Sequence, residues 1–402
     1  MSTSTEEIKR GSVFEVFWTA LKLGFTSFGG PIAHLGYFRE TYVKREKWID
    51  EKTYVDLVAL CQFLPGPASS QVGIGIGLLR AGVLGSIAAW IGFTMPSVIA
   101  LIIFAYAVGG FELANQGWLH GLKLVAVAIV AQAVWGMMKS HAFDRMRGTI
   151  AIIAAIVSLI FSYVFTQVLI IVLAGFIGLF FLSKSGQSPS TNIHVPVHKS
   201  TAVISLVIFA GLLIVLPILT VIQPTFLLSL FDSFYRVGSL VFGGGHVVLP
   251  LLQSEVVNPG WVTNDQFIAG YGATQAVPGP LFTFSAYLGA VMDTNMNAIL
   301  VALIAVIAIF LPSFLLVIGV IPFWNVIRQK QQFQSALMGI NAAVVGILLA
   351  ALYDPVWTSS VNNVYDFVLV IITFSLLMLW KLPPWIVVVV SAIGGSIIGW
   401  LT

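Results

Sequence analysis

The sequence predicts an all-α polytopic membrane protein, built as two inverted-topology repeats whose helices break or re-enter at FGGP and PGP motifs. Three observations predict it. The 402-residue chain is 58% hydrophobic and only 9% charged, with a mean hydropathy of +0.98. Soluble domains carry roughly a quarter charged residues, so this chain lacks the polar surface to face water. Apolar runs long enough to span a bilayer recur, among them SIAAWIGFTMPSVIALIIFAYAVGG at 86–110. Finally, an ordered set of motifs occurs twice, once on each side of a polar stretch. The alternating ten-residue strands of a membrane barrel are not found in the sequence.

Taken in order, apolar segments lie near 13–30, 53–79, 83–108, 118–138, 149–164 and 166–182 in the first half. The second half has 226–244, 266–290, 297–320, 334–353, 365–380 and 384–401, and one extra segment, 201–222, stands between the halves. FWTALKLGFTSFGGP (17–31) aligns with FDSFYRVGSLVFGGG (231–245), pairing Lys22 with Arg236 and Phe28-Gly29-Gly30 with Phe242-Gly243-Gly244. Downstream, Trp48 pairs with Trp261, Gln62 with Gln275, Pro65-Gly66-Pro67 with Pro278-Gly279-Pro280 and Pro96-Ser97 with Pro312-Ser313. The spacing is nearly constant: 213 residues separate Trp48 from Trp261, and 216 separate Pro96 from Pro312. An ordered series of this kind marks an internal repeat. The expected units are a first repeat at 1–182, a cytoplasmic polar linker at 183–200, a linking transmembrane helix at 201–224 and a second repeat at 225–402. An odd number of crossings before the second copy inverts it, a plan found in many secondary transporters.

Charge bias places KSHAFDRMRG (139–148), the linker, RQK (328–330) and Lys381 in the cytoplasm. The loops at 109–117 and 354–366, with Glu112, Asp354 and Asp366 and no basic residue, belong outside. This puts the N-terminus inside and the C-terminus outside. With plain crossings, two loops break the rule: basic RETYVKREKWIDEK (39–52) would lie outside and acidic QSEVVNPGWVTND (253–265) inside. Both obey it if residues 13–48 and 53–79, with their counterparts, are re-entrant hairpins. The arms beside Pro65–Pro67 are about 12 residues, or about 18 Å, too short for a hydrocarbon core of about 30 Å. A full-length helix that merely kinks is the alternative.

Non-helical backbone inside a bilayer is tolerated where it is buried in protein or lines a wet cavity. Proline suits a first helical turn, so Pro31, Pro67 and Pro280 are expected to open half-helices at mid-membrane. Each start offers free N–H groups and the positive end of a helix dipole, which suits an anion. The candidate anion-facing residues are Lys22, Phe28, Gly29, Gly30, Pro31, Gln62, Pro65, Gly66, Pro67, Ser69 and Ser70 in the first half. Those of the second half are Arg236, Gly243, Gly244, Gly245, Gln275, Pro278, Gly279 and Pro280, with the hydroxyls of Thr283 and Ser285 nearby. The glycines leave room for an oxyanion at the backbone, and the glutamines could equally cap the broken turns. Lys22 could instead pair with Glu15 or Asp56, and Arg236 with Asp232. Lys123 stands inside another segment, functional or snorkelling. Asp56, His34, His246 and Glu255 are candidates for proton coupling, the histidines reading equally well as satisfied structural groups.

Several classes are excluded. Cys61 is the single cysteine, so there is no internal disulfide or multi-cysteine centre, and it reads as a packing residue. HExxH, CxxC, GxSxG and paired catalytic carboxylates are absent, so no enzyme is expected. No cofactor, metal or nucleic acid is implied. The N-terminal MSTSTEEIKRGS precedes no A-x-A-like site, so the first apolar segment is expected to remain. The sequence leaves a homodimer open.

At FGGPIAHLGYFRETYVKREKWIDEKTYVDLVALCQFLPGP, repeated as FGGGHVVLP and QAVPGP, the chain resembles the chromate ion transporter family in its long, two-domain form. The resemblance covers nearly the whole chain. It implies a multi-pass protein of a bacterial-type inner membrane that exports chromate, coupled to the proton motive force or competing with sulfate. A sulfate-like dianion taken up or exchanged, and an uncoupled anion channel, are the competing expectations. The family motif carries over to Lys22, Phe28 to Pro31, Trp48, Gln62, Pro65 to Pro67, Arg236, Phe242 to Gly244 and Pro278 to Pro280. Gly245 replaces Pro31 in the second copy, so the two sites need not be equivalent.

Overall fold

The computed structural model describes residues 11–109, 117–161, 164–182, 197–242, 244–328 and 330–401. Glu112, Gly243 and most of the polar linker (183–196) lie outside them. The described residues are helical, with no strand among them. The chain is an all-α, multi-pass membrane protein.

The first half begins with α1 (Val13–Thr26), whose first turn is closed by Ser12 accepting the Glu15 N–H. It stops at Ser27 and restarts at Gly30 as α2 (Gly30–Phe38), which runs on through a π-helical stretch, Arg39–Arg45. Asp50 caps α3 (Glu51–Phe63) by accepting from the backbone and hydroxyl of Thr53, an arrangement worth about 1 kcal/mol. After the Leu64–Pro67 break, α4 (Ala68–Gly109) is two helices joined at a kink, with Ala81 and Gly82 outside helical geometry. Helices α5 (Gly117–His141), α6 (Arg145–Ile160) and α7 (Val164–Phe181) complete this half.

After α8 (Lys199–Ile222) the pattern returns. Helix α9 (Phe226–Leu240) stops at Val241, and a 3₁₀ turn (Gly245–Val247) leads into α10 (Val248–Val256). A capping box of Thr263 and Gln266 starts α11 (Asn264–Thr274), where Asp50 and Thr53 start α3. Beyond Pro280 a 3₁₀ turn (Leu281–Thr283) opens α12 (Phe284–Val291). Then come α13 (Ala298–Val320), α14 (Trp324–Ile327), α15 (Gln331–Ala351), α16 (Val364–Met378) and α17 (Pro384–Leu401).

Among the described residues five helical stretches are long and apolar enough to cross a membrane: Ala68–Val108, Gly117–His141, Lys199–Ile222, Ala298–Ile327 and Gln331–Trp357. The elements around the breaks are shorter. Helix α1 has 14 residues, α3 has 13 and α11 has 11, so none exceeds about 21 Å. Outward faces carry side chains such as Phe180, Val221 and Trp400, as a surface in contact with lipid requires.

The halves are interleaved. Helix α15 lies against α6 and α7, whereas α5 lies against α16 and α17. Both seams are lined with small residues. Ser391 donates its hydroxyl to the Gly121 carbonyl at 2.8 Å, and Gly339 faces the Ala174 carbonyl with no room for a side chain. Such close backbone approach is how helices associate where no hydrophobic effect separates them from lipid. Within each half, α1 packs on α4 and α9 on α13.

Candidate functional site: a junction of four helix breaks

The four breaks meet. The Gly66 N–H donates to the Val241 carbonyl at 2.7 Å, and the Gly279 N–H donates to the Ser27 carbonyl at 2.9 Å. These bonds join matched positions crosswise, since Gly66 aligns with Gly279 and Ser27 with Val241. Each PGP turn is also held by the serine that follows the proline inside the opposite half's long helix. Ser97 donates to the Pro278 carbonyl. Ser313 lies 3.5 Å from Nε2 of Gln71, which donates to the Pro65 carbonyl at 2.6 Å.

The helix starts beyond the breaks adjoin one another in a chain. His34, the fifth residue of α2, lies 3.3 Å through Nδ1 from the hydroxyl of Ser69, on the first turn of α4. A β-carbon on Gly245 would lie 3.3 Å from Pro31 and 3.5 Å from Leu281, so the start at Gly245 adjoins both α2 and the start at Leu281. Pro31 is the second residue of α2, one position later than the first residue expected. Pro67 and Pro280 sit one residue earlier than expected, immediately before α4 and before the 3₁₀ turn. Their carbonyls accept the first bonds, from Gln71 N–H and Thr283 N–H.

The other expected residues divide clearly. Ser27 Oγ, Ser70 Oγ and Gln275 Nε2 are buried and have no partner among the described residues. Thr283 and Ser285 instead return their hydroxyls to the carbonyls of Pro280 and Phe282. Gln62 is exposed, unlike its counterpart Gln275. Phe28 is half-buried, its ring tilted against Trp385 with centroids 6.3 Å apart. Gly29 and Gly244 are exposed with positive φ, 99° and 141°, Gly30 likewise has φ 76°, and Gly243 lies outside the described residues. His34 donates Nε2–H to the Ser27 carbonyl at 3.2 Å, leaving Nδ1 to accept from Ser69. His246 hydrogen-bonds the Tyr271 hydroxyl at 2.7 Å.

Apart from Arg236 with Asp232, the pair expected from the sequence, these charged residues find partners that sequence proximity does not indicate. Asp56 takes Arg328, with both carboxylate oxygens 2.6 and 2.8 Å from Nη1. Glu15 pairs with Arg80, and Lys123 with Asp265 at 3.0 Å. Lys22 is therefore left without the partners considered for it, Glu15 and Asp56, and stands exposed on the outer face of α1. Arg236 Nη2 lies 3.0 Å from Asp232 and 2.9 Å from Glu255. Sequence reading missed Ser27, whose only signal was its place immediately before FGGP.

A multi-pass, all-helical chain whose broken helices meet in its interior is a membrane transporter in architecture. The chromate transporter family model matches it twice, over residues 14–179 and 228–396, and the chain belongs to that family. It is 25% identical over 406 residues to a chromate transport protein of Pseudomonas aeruginosa, covering 96% of this chain and 92% of that protein. An uncharacterized transporter of Methanocaldococcus jannaschii is 26% identical over 391 residues, 96% of this chain and 90% of its own. A Bacillus subtilis relative, also an uncharacterized transporter, is 28% identical over 178 residues, 43% of this chain but 97% of its own. No solved structure matches the chain.

Proposed function

We propose that the protein transports an oxyanion, chromate in the first place, outward across a bacterial-type inner membrane, using the junction of the four breaks as its substrate site. One observation carries this reading: four helix starts adjoin one another in a chain, beside buried donors that have no partner among the described residues. Each helix N-terminus contributes roughly half a positive charge, so four of them offset about two units, the charge of chromate or sulfate. Ser27, Ser70 and Gln275 add uncharged donors. Lys22 supplies positive charge from farther out, whereas Arg236 is engaged by two carboxylates. Positional homology to a chromate transport protein supports chromate as the substrate.

In this reading the short helices on either side of each break are hairpins that turn at membrane depth. Residues 1–182 and 225–402 are then the two inverted repeats, linked by 183–200 and the helix at 201–224, with the N-terminus cytoplasmic and the C-terminus outside. Export draws on the proton motive force. Donors of this kind do not separate two tetrahedral dianions, so the decisive experiment uses both. Purified protein in liposomes is expected to move radiolabelled chromate, with sulfate competing. Equal flux in liposomes without protein would overturn the reading; chromate flux unchanged by collapse of every gradient would make the protein a channel.

A further inference from the structure

We propose that the cluster Asp232–Arg236–Glu255 takes up one proton together with the transported dianion, so that proton and oxyanion cross in the same direction. The inference rests on the substrate site proposed above and adds the sense of its coupling. One guanidinium faces two carboxylates here, 3.0 and 2.9 Å away, and the carboxylate side chains are only 8% and 7% exposed. The cluster therefore carries a net charge of about minus one in surroundings that penalise any uncompensated charge.

Among the described residues no further cation is paired with it. Helix α9 packs on α8, α10 and α13, and α10 also meets α7, α11, α15 and the turn at Gly245–Val247. Helices α7, α13 and α15 carry no charged residue. Lys199 opens α8. It stands ten residues before Phe209, whose carbonyl accepts from Tyr235 of α9, which is about 15 Å along the helix. On α11, Asp265 is paired with Lys123 and Tyr271 with His246.

Arg236 precedes the break at Val241 by five residues, or about 7.5 Å of helix. A dianion entering the junction is repelled by this excess negative charge. Protonation of Glu255 or Asp232 removes the repulsion, and by linkage the proton raises anion affinity as much as the anion raises proton affinity. The step balances simply: a carboxylate gains a proton on the side where the anion loads, and both leave on the other. Net charge minus one then moves, so an inside-negative potential drives export while the pH gradient opposes it.

The test uses the full-length protein in liposomes at alkaline pH, where chromate itself stays a dianion, with a pH-sensitive dye in the lumen. Acidifying the loading side by one unit is expected to raise initial chromate flux by up to about tenfold, and the lumen should become more alkaline as chromate leaves it. Glu255→Gln and Asp232→Asn should each abolish the dye signal per chromate moved. Chromate moving with no proton, or against one, overturns this inference alone, as does a wild-type proton ratio in both variants. Absence of all oxyanion flux overturns the transport reading and this inference with it.

Discussion

A β-carbon on Gly66 would lie 2.9 Å from the hydroxyl of Ser313, a residue of the opposite half, and 2.8 Å from Nε2 of Gln71. Gly66 also has φ 113°, so its place is closed to other residues twice over, by conformation and by space. Gly279, with φ 96°, meets Ser97 in the same way. Gly66→Ala and Gly279→Ala should each cost about 1–3 kcal/mol and sharply reduce chromate flux. Gly36, in open space on α2, is the control: Gly36→Ala should be neutral or slightly stabilising. Thermal unfolding in detergent, run beside flux assays, decides it; equal behaviour of all three variants would refute the packing argument.

The second prediction concerns Asp56 and Arg328, whose side chains are 11% and 5% exposed. Arg328→Gln strands the buried Asp56 carboxylate and should destabilise by about 3–5 kcal/mol, and Asp56→Asn should destabilise by less, since Arg328 keeps another contact. Combining them should recover much of that stability and of the transport. A double variant as damaged as the singles would instead favour a proton-carrying role for Asp56.

Charge near the breaks gives a third. Lys22→Gln should lower chromate affinity no more than about tenfold, because helix starts carry most of the compensation. Arg236→Gln should be far worse, leaving Asp232 and Glu255 buried together, and adding Asp232→Asn should partly restore folding. Binding measured by isotope dilution and yield in membranes separate the two effects. Complete loss of binding in Lys22→Gln would show that the exposed lysine is the principal anion contact.

Pro67→Ala and Pro280→Ala should reduce flux while leaving membrane insertion intact, since each proline shapes the start of a helix at the junction. Wild-type flux in both variants would make the breaks purely structural.

The hairpin topology predicts residues 39–52 inside and 253–265 outside. Lys44 and Asn258 are both exposed, so Lys44→Cys and Asn258→Cys in a Cys61→Ser background suit impermeant thiol labelling of intact cells. Reaction at 258 and protection at 44 are expected; the reverse pattern would require every broken segment to cross.

Much of this architecture was readable in advance because proline and glycine carry their meaning locally. Pro65-Gly66-Pro67 cannot continue a helix wherever it is placed, and the chain does stop at Phe63 and restart at Ala68. Composition and segment length likewise announce apolar helices without reference to any contact. Ion partners are another matter. Asp56 and Arg328 are 272 residues apart, and nothing near either one names the other. Lys22 and Arg236 occupy matched sequence positions yet differ completely in surroundings, because α9 is followed by α10 with Glu255, whereas α1 turns its lysine outward. The crosswise bonds of Gly66 and Gly279 lay beyond sequence reading for the same reason: a repeat announces equivalence, not which copies touch.

The seams between α5 and α17 and between α15 and α6 and α7 give covalent continuity little to do. Each half wraps helices of the other, so neither possesses a complete interior alone, and the connecting stretch at 183–196 only guarantees equal numbers of both. Severed there, the two pieces would be obligate partners rather than independent units, and made together in one cell they should assemble and copurify. A gene of half this length would face the same demand, satisfied by a second copy or a sibling. Joining the halves in one chain removes that search and frees each to diverge, as Gly245 has already diverged from Pro31.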